Sequence, residues 1–179
     1  MTLMSSCRWD WASYDAAAIG KTSALMTLPV HGAALIGGRS AAQSKDLADC
    51  FRDLGLLFQM QDDVVDLFGD KGRGQRGNDL REGKVSALIV THLERRPDDR
   101  EALVELLKRD RDATRDEDVA AWSKRFTESG ALDAACAWAD ELVEGLTRSA
   151  ELAVEPGLRA MVTTCAKSIA GPIEGLRSA

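Results

Sequence analysis

Residues 40–68 read SAAQSKDLADCFRDLGLLFQMQDDVVDLF, and their pattern predicts one long helix. The large apolar side chains recur at helical steps that place them on one face; they are Leu47, Phe51, Leu54, Phe58 and Val65. The next nine residues, GDKGRGQRG at 69–77, contain four glycines. Neither a helix nor a strand tolerates so many glycines, so a basic loop is predicted to follow the helix.

The sequence before this helix predicts a second apolar one. Residues 14–36 read as a largely apolar helix that Gly37 and Gly38 terminate. Its uncharged part, residues 22–38, is interrupted by Pro29 and is a poor match to the roughly 20 apolar residues of a membrane span. A buried core helix, and no transmembrane segment, is therefore expected.

The sequence after the loop predicts several shorter helices. Asp79 is predicted to cap a helix that runs to about Arg95, where Pro97 stops it. Helices then follow at about 98–110, 116–129, 132–152 and 158–169. No strand pattern, long linker or internal repeat is found in the sequence. The predicted fold class is therefore all-α, a helical bundle in one domain.

Composition narrows the class of protein. The 179 residues are 45% hydrophobic but only 5% aromatic, and Ala and Leu dominate over Val and Ile, which favours helices over sheets. The net charge of -6 argues against nucleic-acid binding, because such binding needs a basic face. Four dispersed cysteines without a CxxC pair indicate neither a zinc site nor a disulfide framework, and no signal peptide is recognised. We therefore expect a cytoplasmic protein.

The segment FQMQDDVVD, residues 58–66, puts three carboxylates on a helix that otherwise faces a core. Asp62 and Asp66 are one turn apart and Asp63 is close to both, so the charges repel each other unless a cation binds. Oxygen ligands without nearby His or Cys favour Mg²⁺, which prefers a few carboxylates together with phosphates and water. Gln59 shares the helix face of Asp62 and Asp63 and can donate a hydrogen bond to a phosphate oxygen.

Basic residues flank this acidic segment on both sides. An isolated DDxxD is equally well explained as a solvated acidic patch, but the surrounding cations favour a diphosphate site. A diphosphate leaving group requires them, because its charge must be neutralised as the carbon–oxygen bond ionises. The basic residues are Lys21 upstream, Lys71, Arg73 and Arg76 in the loop, and Lys84 within GNDLREGKVS.

Three motifs in this order resemble a known family. KTSAL (21–25), FQMQDDVVDLFGD (58–70) and GNDLREGKVSALIV (77–90) resemble the second half of trans-polyprenyl diphosphate synthases, the family of farnesyl and geranylgeranyl diphosphate synthases. The resemblance covers about residues 14–95 by motif. It implies the isoprenoid synthase type of all-α bundle, a transferase that joins prenyl units, and a single partial domain over residues 1–179.

The resemblance also implies roles for individual residues. Those at the allylic prenyl diphosphate are Lys21, Thr22, Gln59 and Lys84. Those at Mg²⁺ are Asp62, Asp63 and Asp66, which match the second aspartate-rich motif, and Asp79, with Asp62 as a direct ligand. The ionisation step is expected to depend on Lys21, Asp62, Asp66 and Lys84.

The sequence departs from the family pattern in two places. A Gly-Lys pair usually precedes the Gly-x-Asp motif, whereas GRGQRG stands here, so Arg73 or Arg76 takes the place of the lysine. The first aspartate-rich motif and the basic residues that bind isopentenyl diphosphate are absent from this chain. A bundle without those helices exposes apolar faces, which predicts a homo-oligomer or a hetero-oligomer.

Three alternatives remain open on the sequence alone. The chain is either a catalytic partner or a truncated, non-catalytic subunit or regulator of a prenyl synthase. Two copies could instead face each other through residues 62–66 and imitate both aspartate-rich motifs. A class I terpene cyclase is the weaker alternative, because its Asn, Ser or Thr, and Glu ligand pattern meets Glu82 and Ser86 in the wrong order after Asn78.

Overall fold

Helices joined by turns and short loops make up the part of the chain that the computed structural model describes, residues 9–69 and 75–176, and no strand occurs there. This confirms the predicted all-α class. The helices are α1 (Trp11–Ala18), α2 (Ala24–Ile36), α3 (Ala41–Phe68), α4 (Asn78–Arg81), α5 (Ala87–Arg95), α6 (Arg100–Leu107), α7 (Asp116–Glu128), α8 (Ala131–Arg148), α9 (Ala150–Ala153) and α10 (Pro156–Glu174). A π-helical segment, Ile19–Ser23, joins α1 to α2.

Helix α3 is the centre of the bundle, as the prediction over 40–68 required. It begins with a capping box, in which the Ser40 hydroxyl accepts from the Gln43 amide at 3.2 Å and the Gln43 side chain accepts from the Ser40 amide at 3.1 Å. Its middle is buried on several sides because α2, α8 and α10 all pack against it. Leu57, Met60 and Val64 are fully buried there.

The predicted helix over 14–36 is divided into three parts. The π-helical segment between α1 and α2 carries Lys21 and Thr22, and such wider turns are frequent at functional sites. The segment lies directly against α3, because a Cβ atom on Gly55 would come within 2.6 Å of the Ser23 Cα. The Ser23 hydroxyl also donates to the Arg52 carbonyl at 2.9 Å.

The prediction that residues 22–38 form a buried core helix is wrong. Helix α2 packs on α3 along one side only, and Ala34 is its sole residue classed as buried. Leu25 is 75% exposed and Ile36 is 91% exposed, with Leu28 between them also exposed. Apolar composition predicts that a surface favours burial, but it does not say whether the described part of the chain supplies a cover. None of the described helices has the length and hydropathy needed to cross a bilayer.

The prediction that Asp79 caps a helix running to Arg95 is also wrong. Asp79 lies inside the four-residue helix α4, and Ser86 occupies the N-cap position of α5. The turn between them depends on Gly83, which has a φ of +67° and whose Cβ would lie 2.4 Å from the Leu107 carbonyl oxygen. A helix cannot continue through a left-handed residue, so the chain turns here.

The carboxyl-terminal helices complete the core behind α3. Helix α8 packs between α3 and α10, and it buries Leu132, Cys136 and Leu146. The helix predicted over 132–152 is interrupted at Ser149, whose hydroxyl caps the short helix α9. The helix predicted over 158–169 is longer at both ends, since α10 spans Pro156–Glu174.

Candidate functional site

A cavity of about 1000 Å³ lies where α1, the π-helical segment, α3 and the α4–α5 turn meet. This volume suits a small-molecule site. Sequence reasoning named six of its lining residues, which come from three separate segments: Lys21, Gln59, Asp62, Asp63, Asp79 and Lys84. Tyr14 and Glu82 also line it. The fold therefore brings most of the predicted site residues around one space.

Asp63 lies at the wall of the cavity and is 4% exposed. Its Oδ2 accepts hydrogen bonds from the Tyr14 hydroxyl and the Ala87 amide, both at 2.8 Å, and its Oδ1 accepts from the Gln59 amide at 2.9 Å. Burial raises the pKa of Asp63 to about 7, although these three hydrogen bonds act in the opposite direction. Asp63 thus connects α1, α3 and α5 through a single carboxylate.

Gln59 is oriented from both ends of its side-chain amide. The Thr22 hydroxyl donates to its Oε1 at 3.0 Å, while its Nε2 donates to Asp63. Thr22 therefore contacts Gln59 and is not itself among the residues lining the cavity. The neighbouring Lys21 does line it and has an exposed side chain. One hydrogen of the Gln59 amide group remains for a further acceptor, since the group carries two.

Three carboxylates influence one another at the other side of the cavity. Asp66 is buried, and its Oδ2 accepts from the Asp79 amide at 3.0 Å. Asp79 is held near α3 by this contact, and Asp62 lines the cavity beside it. Burial is the main reason that the pKa of Asp79 is raised, and the negative charges of Asp66 and Asp62 add to the effect against the Lys84 ammonium.

Lys84 lies between two acidic side chains. Its Nζ is 2.9 Å from the Asp79 Oδ1 and 2.7 Å from the Glu82 Oε2. Burial opposes the charged form, but the hydrogen bonds to the two carboxylates raise the pKa of Lys84 above its ordinary range. The hydrogen bonds from Lys84 and Arg111 lower the pKa of Glu82.

The two loop arginines were predicted to replace a family lysine, and neither lines the described cavity. Arg76 is exposed at the start of the region after the loop. Arg73 lies in residues 70–74, outside the described ranges. Their predicted contact with a diphosphate therefore stays a prediction.

The acidic residues fit a hard cation only as part of a shared coordination shell. Within residues 9–69 and 75–176, no group of three or more His, Cys, Asp or Glu side chains is arranged to hold a metal ion. Such an arrangement is not what Mg²⁺ requires, because it usually keeps several waters and binds one or two carboxylates together with substrate phosphates. The carboxylates of Asp62 and Asp79 at the cavity wall, with Asp66 behind Asp79, suit that mode of binding.

Sequence reasoning missed Tyr14, Glu82 and Arg111. Tyr14 is the only tyrosine in the chain and precedes Lys21 by seven residues, two helical turns, so its position on the face of Lys21 was a usable signal. Glu82 and Arg111 are 29 residues apart, and their contact gives no sequence signal. The Arg111 Nη1 donates to the Glu82 Oε1 at 2.5 Å.

Comparison with known proteins identifies the family. A model of the polyprenyl synthetase family matches residues 3–124, and the chain belongs to this family. The short chain isoprenyl diphosphate synthase of Methanothermobacter thermautotrophicus is 37% identical over 90 residues, which are 49% of this chain and 28% of that protein. Farnesyl pyrophosphate synthase 2 of Arabidopsis thaliana is 39% identical over 69 residues, 38% of this chain and 20% of that one.

A solved structure has the same fold. The crystal structure of a geranylgeranyl pyrophosphate synthase superposes with a TM-score of 0.71 at 23% identity, covering 94% of this chain and 52% of that chain. The isoprenoid synthase type of all-α fold is thereby confirmed. The chain spans about half the length of this structure, and the aligned segments cover less than a third of the two sequence relatives.

Proposed function

We propose that this chain supplies the allylic half of a prenyltransferase site, in which an allylic prenyl diphosphate binds with Mg²⁺ and ionises. Condensation with isopentenyl diphosphate, head to tail, then follows. The observation that supports this proposal is the cavity that joins Lys21, Asp62 and Lys84 from three separate segments. Cations and carboxylates that alternate around one space suit a diphosphate–metal pair better than either ion alone.

The cationic and amide groups would bind the diphosphate. Lys21 is exposed into the cavity, and Gln59 is held by Thr22 and Asp63 so that its remaining N–H can meet a phosphate oxygen. Lys84 has three N–H donors, two of which meet Asp79 and Glu82. As the carbon–oxygen bond breaks, these groups would stabilise the negative charge that develops on the leaving diphosphate. No protein nucleophile is required for this step.

The carboxylates divide into two roles in the proposal. Asp62 and Asp79, with Asp66 next to them, would hold Mg²⁺, which neutralises diphosphate charge when it is bound. Asp63 was predicted as a further ligand, but both of its oxygens already accept hydrogen bonds. We therefore assign Asp63 the positioning of Gln59 and of the amino terminus of α5.

Binding of isopentenyl diphosphate would depend on a second polypeptide segment. We propose that residues 1–179 act as one partial domain that associates through the exposed apolar face of α2, either with another copy or with a different chain. The alternative is a non-catalytic subunit or regulator that binds the allylic partner without turnover. Little supports a terpene cyclase, because Glu82 pairs with Lys84 and Arg111, and Ser86 lies buried at the start of α5.

The proposal is tested by titrating the chain with farnesyl thiodiphosphate, an allylic analogue that ionises slowly, by calorimetry. We expect binding in Mg²⁺ that weakens by about tenfold or more in EDTA and in Asp62→Asn or Lys21→Met, since each change removes a charge-assisted contact. Asp98→Asn is the matched control, because Asp98 is an exposed acid in the 3₁₀ turn Pro97–Asp99, outside the cavity. Equal affinity with and without Mg²⁺ would contradict the proposal.

A condensation assay separates the catalytic from the non-catalytic alternative. Labelled isopentenyl diphosphate and geranyl diphosphate are incubated with the purified chain, with Asp62→Ala/Asp66→Ala as the inactive control. Product that the double variant abolishes would mean that copies of this chain complete the site by themselves. Magnesium-dependent binding of the analogue without product would indicate half a site that needs a partner.

A further inference from the structure

We propose that Arg111 is a positioning residue that sets the affinity of the cavity for diphosphates by acting through Glu82 on Lys84. The inference rests on the proposed function and extends it to a residue outside the cavity wall. Glu82 lines the cavity, whereas Arg111 does not. Arg111 therefore reaches the site only through the side chain between them.

The contacts form a continuous chain from the protein surface to the cavity. The Arg111 Nη1 lies 2.5 Å from the Glu82 Oε1, and the other oxygen of Glu82 lies 2.7 Å from the Lys84 Nζ. Lys84 in turn contacts the Asp79 Oδ1 at 2.9 Å. Cations and anions alternate along this row, so each one stabilises the position of the next.

Arg111 also fixes the backbone that carries these residues. Its Nη2 donates to the Asn78 Oδ1 at 2.6 Å, so one guanidinium holds the first residue of α4 and the residue that follows its last. Gly83 then turns the chain in a left-handed conformation that returns Lys84 to the cavity. A planar guanidinium with donors on two sides suits this arrangement, and a single ammonium could reach only one of the two acceptors.

The charge balance explains why the contact matters for an anion. Glu82 places a negative charge on the wall of a cavity that, in the proposed function, takes a diphosphate. Arg111 compensates this charge from the outer side, which leaves the Lys84 ammonium as the group that an entering phosphate meets. Removing Arg111 would expose the phosphate to Glu82 and loosen the position of Lys84.

The test is a double-mutant cycle with Mg²⁺ and inorganic pyrophosphate, measured by calorimetry. Arg111→Ala is expected to weaken binding about three- to fivefold, a size typical of partly exposed ion pairs. The same substitution in a Glu82→Gln background is expected to change binding by less than about twofold, because the charge it compensates is gone. Arg111→Lys should restore most of the affinity, since it retains the charge.

The matched control is Arg109→Ala. Arg109 also bridges two acids, Glu105 at 3.1 Å and Asp118 at 3.3 Å, and lies two residues from Arg111 but outside the cavity. It should leave pyrophosphate binding unchanged. Equal losses from Arg111→Ala in both backgrounds, or a similar loss from Arg109→Ala, would show a general structural effect and overturn the inference.

A second readout needs no ligand and separates this inference from the proposed function. Trace acetylation, followed by mass spectrometry of the peptide containing Lys84, measures how firmly Glu82 and Asp79 hold the ammonium. Lys84 should react faster in Glu82→Gln and in Arg111→Ala, and at the wild-type rate in Arg109→Ala. Unchanged acetylation in Arg111→Ala would overturn the positioning role. If wild-type chain binds no pyrophosphate, the proposed function and the effect on affinity both fail, while acetylation still decides whether Arg111 positions Lys84.

Discussion

A single buried carboxylate, Asp63, shows how one residue can organise the site. Its two oxygens accept from Tyr14, Gln59 and the Ala87 amide, which belong to three different helices. A buried acid with these partners resists loss of its proton, because desolvation penalises the charged form more than the hydrogen bonds favour it. The same residue therefore makes stability depend on pH.

We expect Asp63 to destabilise the fold as pH rises towards neutrality. Its pKa is raised from the ordinary aspartate value of 3.8 to about 7 in the folded chain, so the folded state retains a proton that the unfolded state loses. The stabilising contribution is present below about pH 4 and is lost as pH rises through about 7. Urea unfolding in EDTA, for wild type and Asp63→Asn, should show a difference that changes over this window.

Asp63→Asn retains the shape of the side chain but does not titrate, so the comparison isolates one group from the other acids and from His92. A difference in unfolding free energy that stays constant between about pH 4 and pH 8 would contradict the raised pKa. Tyr14→Phe provides a second check, because it removes one hydrogen bond that favours the charged carboxylate. The pKa of Asp63 should then rise further.

At the scale of helices, the site depends on how closely the π-helical segment approaches α3. Gly55 permits this approach, since any Cβ atom there would come within 2.6 Å of the Ser23 Cα and Oγ. The two residues that follow from this packing are Lys21, at the cavity, and Thr22, at Gln59. A change at the helix crossing should therefore affect both stability and binding.

Gly55→Ala is expected to destabilise the chain by about 1–3 kcal/mol, because the added methyl meets backbone atoms that cannot rotate away. It should also weaken binding of the diphosphate analogue by displacing Lys21. Gly145→Ala is the matched control, since Gly145 lies in α8 with nothing within 4 Å of its Cβ position. That change should be neutral or stabilising by up to about 1 kcal/mol.

Thermal and urea unfolding of the two variants measure the effect. A loss of stability in Gly145→Ala as large as that in Gly55→Ala would mean that close packing on Ser23 is not the cause. If Gly55→Ala retained full stability, the π-helical segment and α3 would have to be separated by more than the structure shows.

The whole molecule presents an apolar face that its own described helices do not cover. Leu25, Leu28 and Ile36 are exposed and lie three and eight residues apart along α2, which places them on one side of the helix. Burial of each such side chain contributes about 1.5–3 kcal/mol. A continuous patch of this kind typically marks an interface.

We expect the chain to associate through this face. Leu28→Glu/Ile36→Glu should shift sedimentation and light scattering towards the monomer, because an interface would have to bury two unpaired carboxylates. Val154→Glu is the matched control, as Val154 is 71% exposed but lies between α9 and α10, away from α2. A wild-type chain that is monomeric at high concentration would remove the basis for association through α2.

Much of the site was predictable from local sequence, and the failures have physical causes. Residues 62–66 and Lys84 were identified from chemistry and spacing, since carboxylates on an otherwise apolar helix need a reason to be there. The roles of Tyr14, Glu82 and Arg111 were not predicted, because contacts such as Tyr14 to Asp63 join residues 49 positions apart. The burial of α2 was predicted wrongly, because hydropathy describes a helix and not what lies beside it.

The sequence by itself determined the all-α class, the long helix α3 with its Ser40 cap, and the family through three motifs in order. These depend on local properties: helical periodicity, capping and the residues of a short motif. Only the tertiary structure decided that Asp63 faces Tyr14 and Ala87, that Gly83 turns Lys84 towards Asp79, and that α2 leaves an apolar face exposed. Those outcomes depend on which helices meet in space, and that is set by the packing of side chains far apart in the sequence.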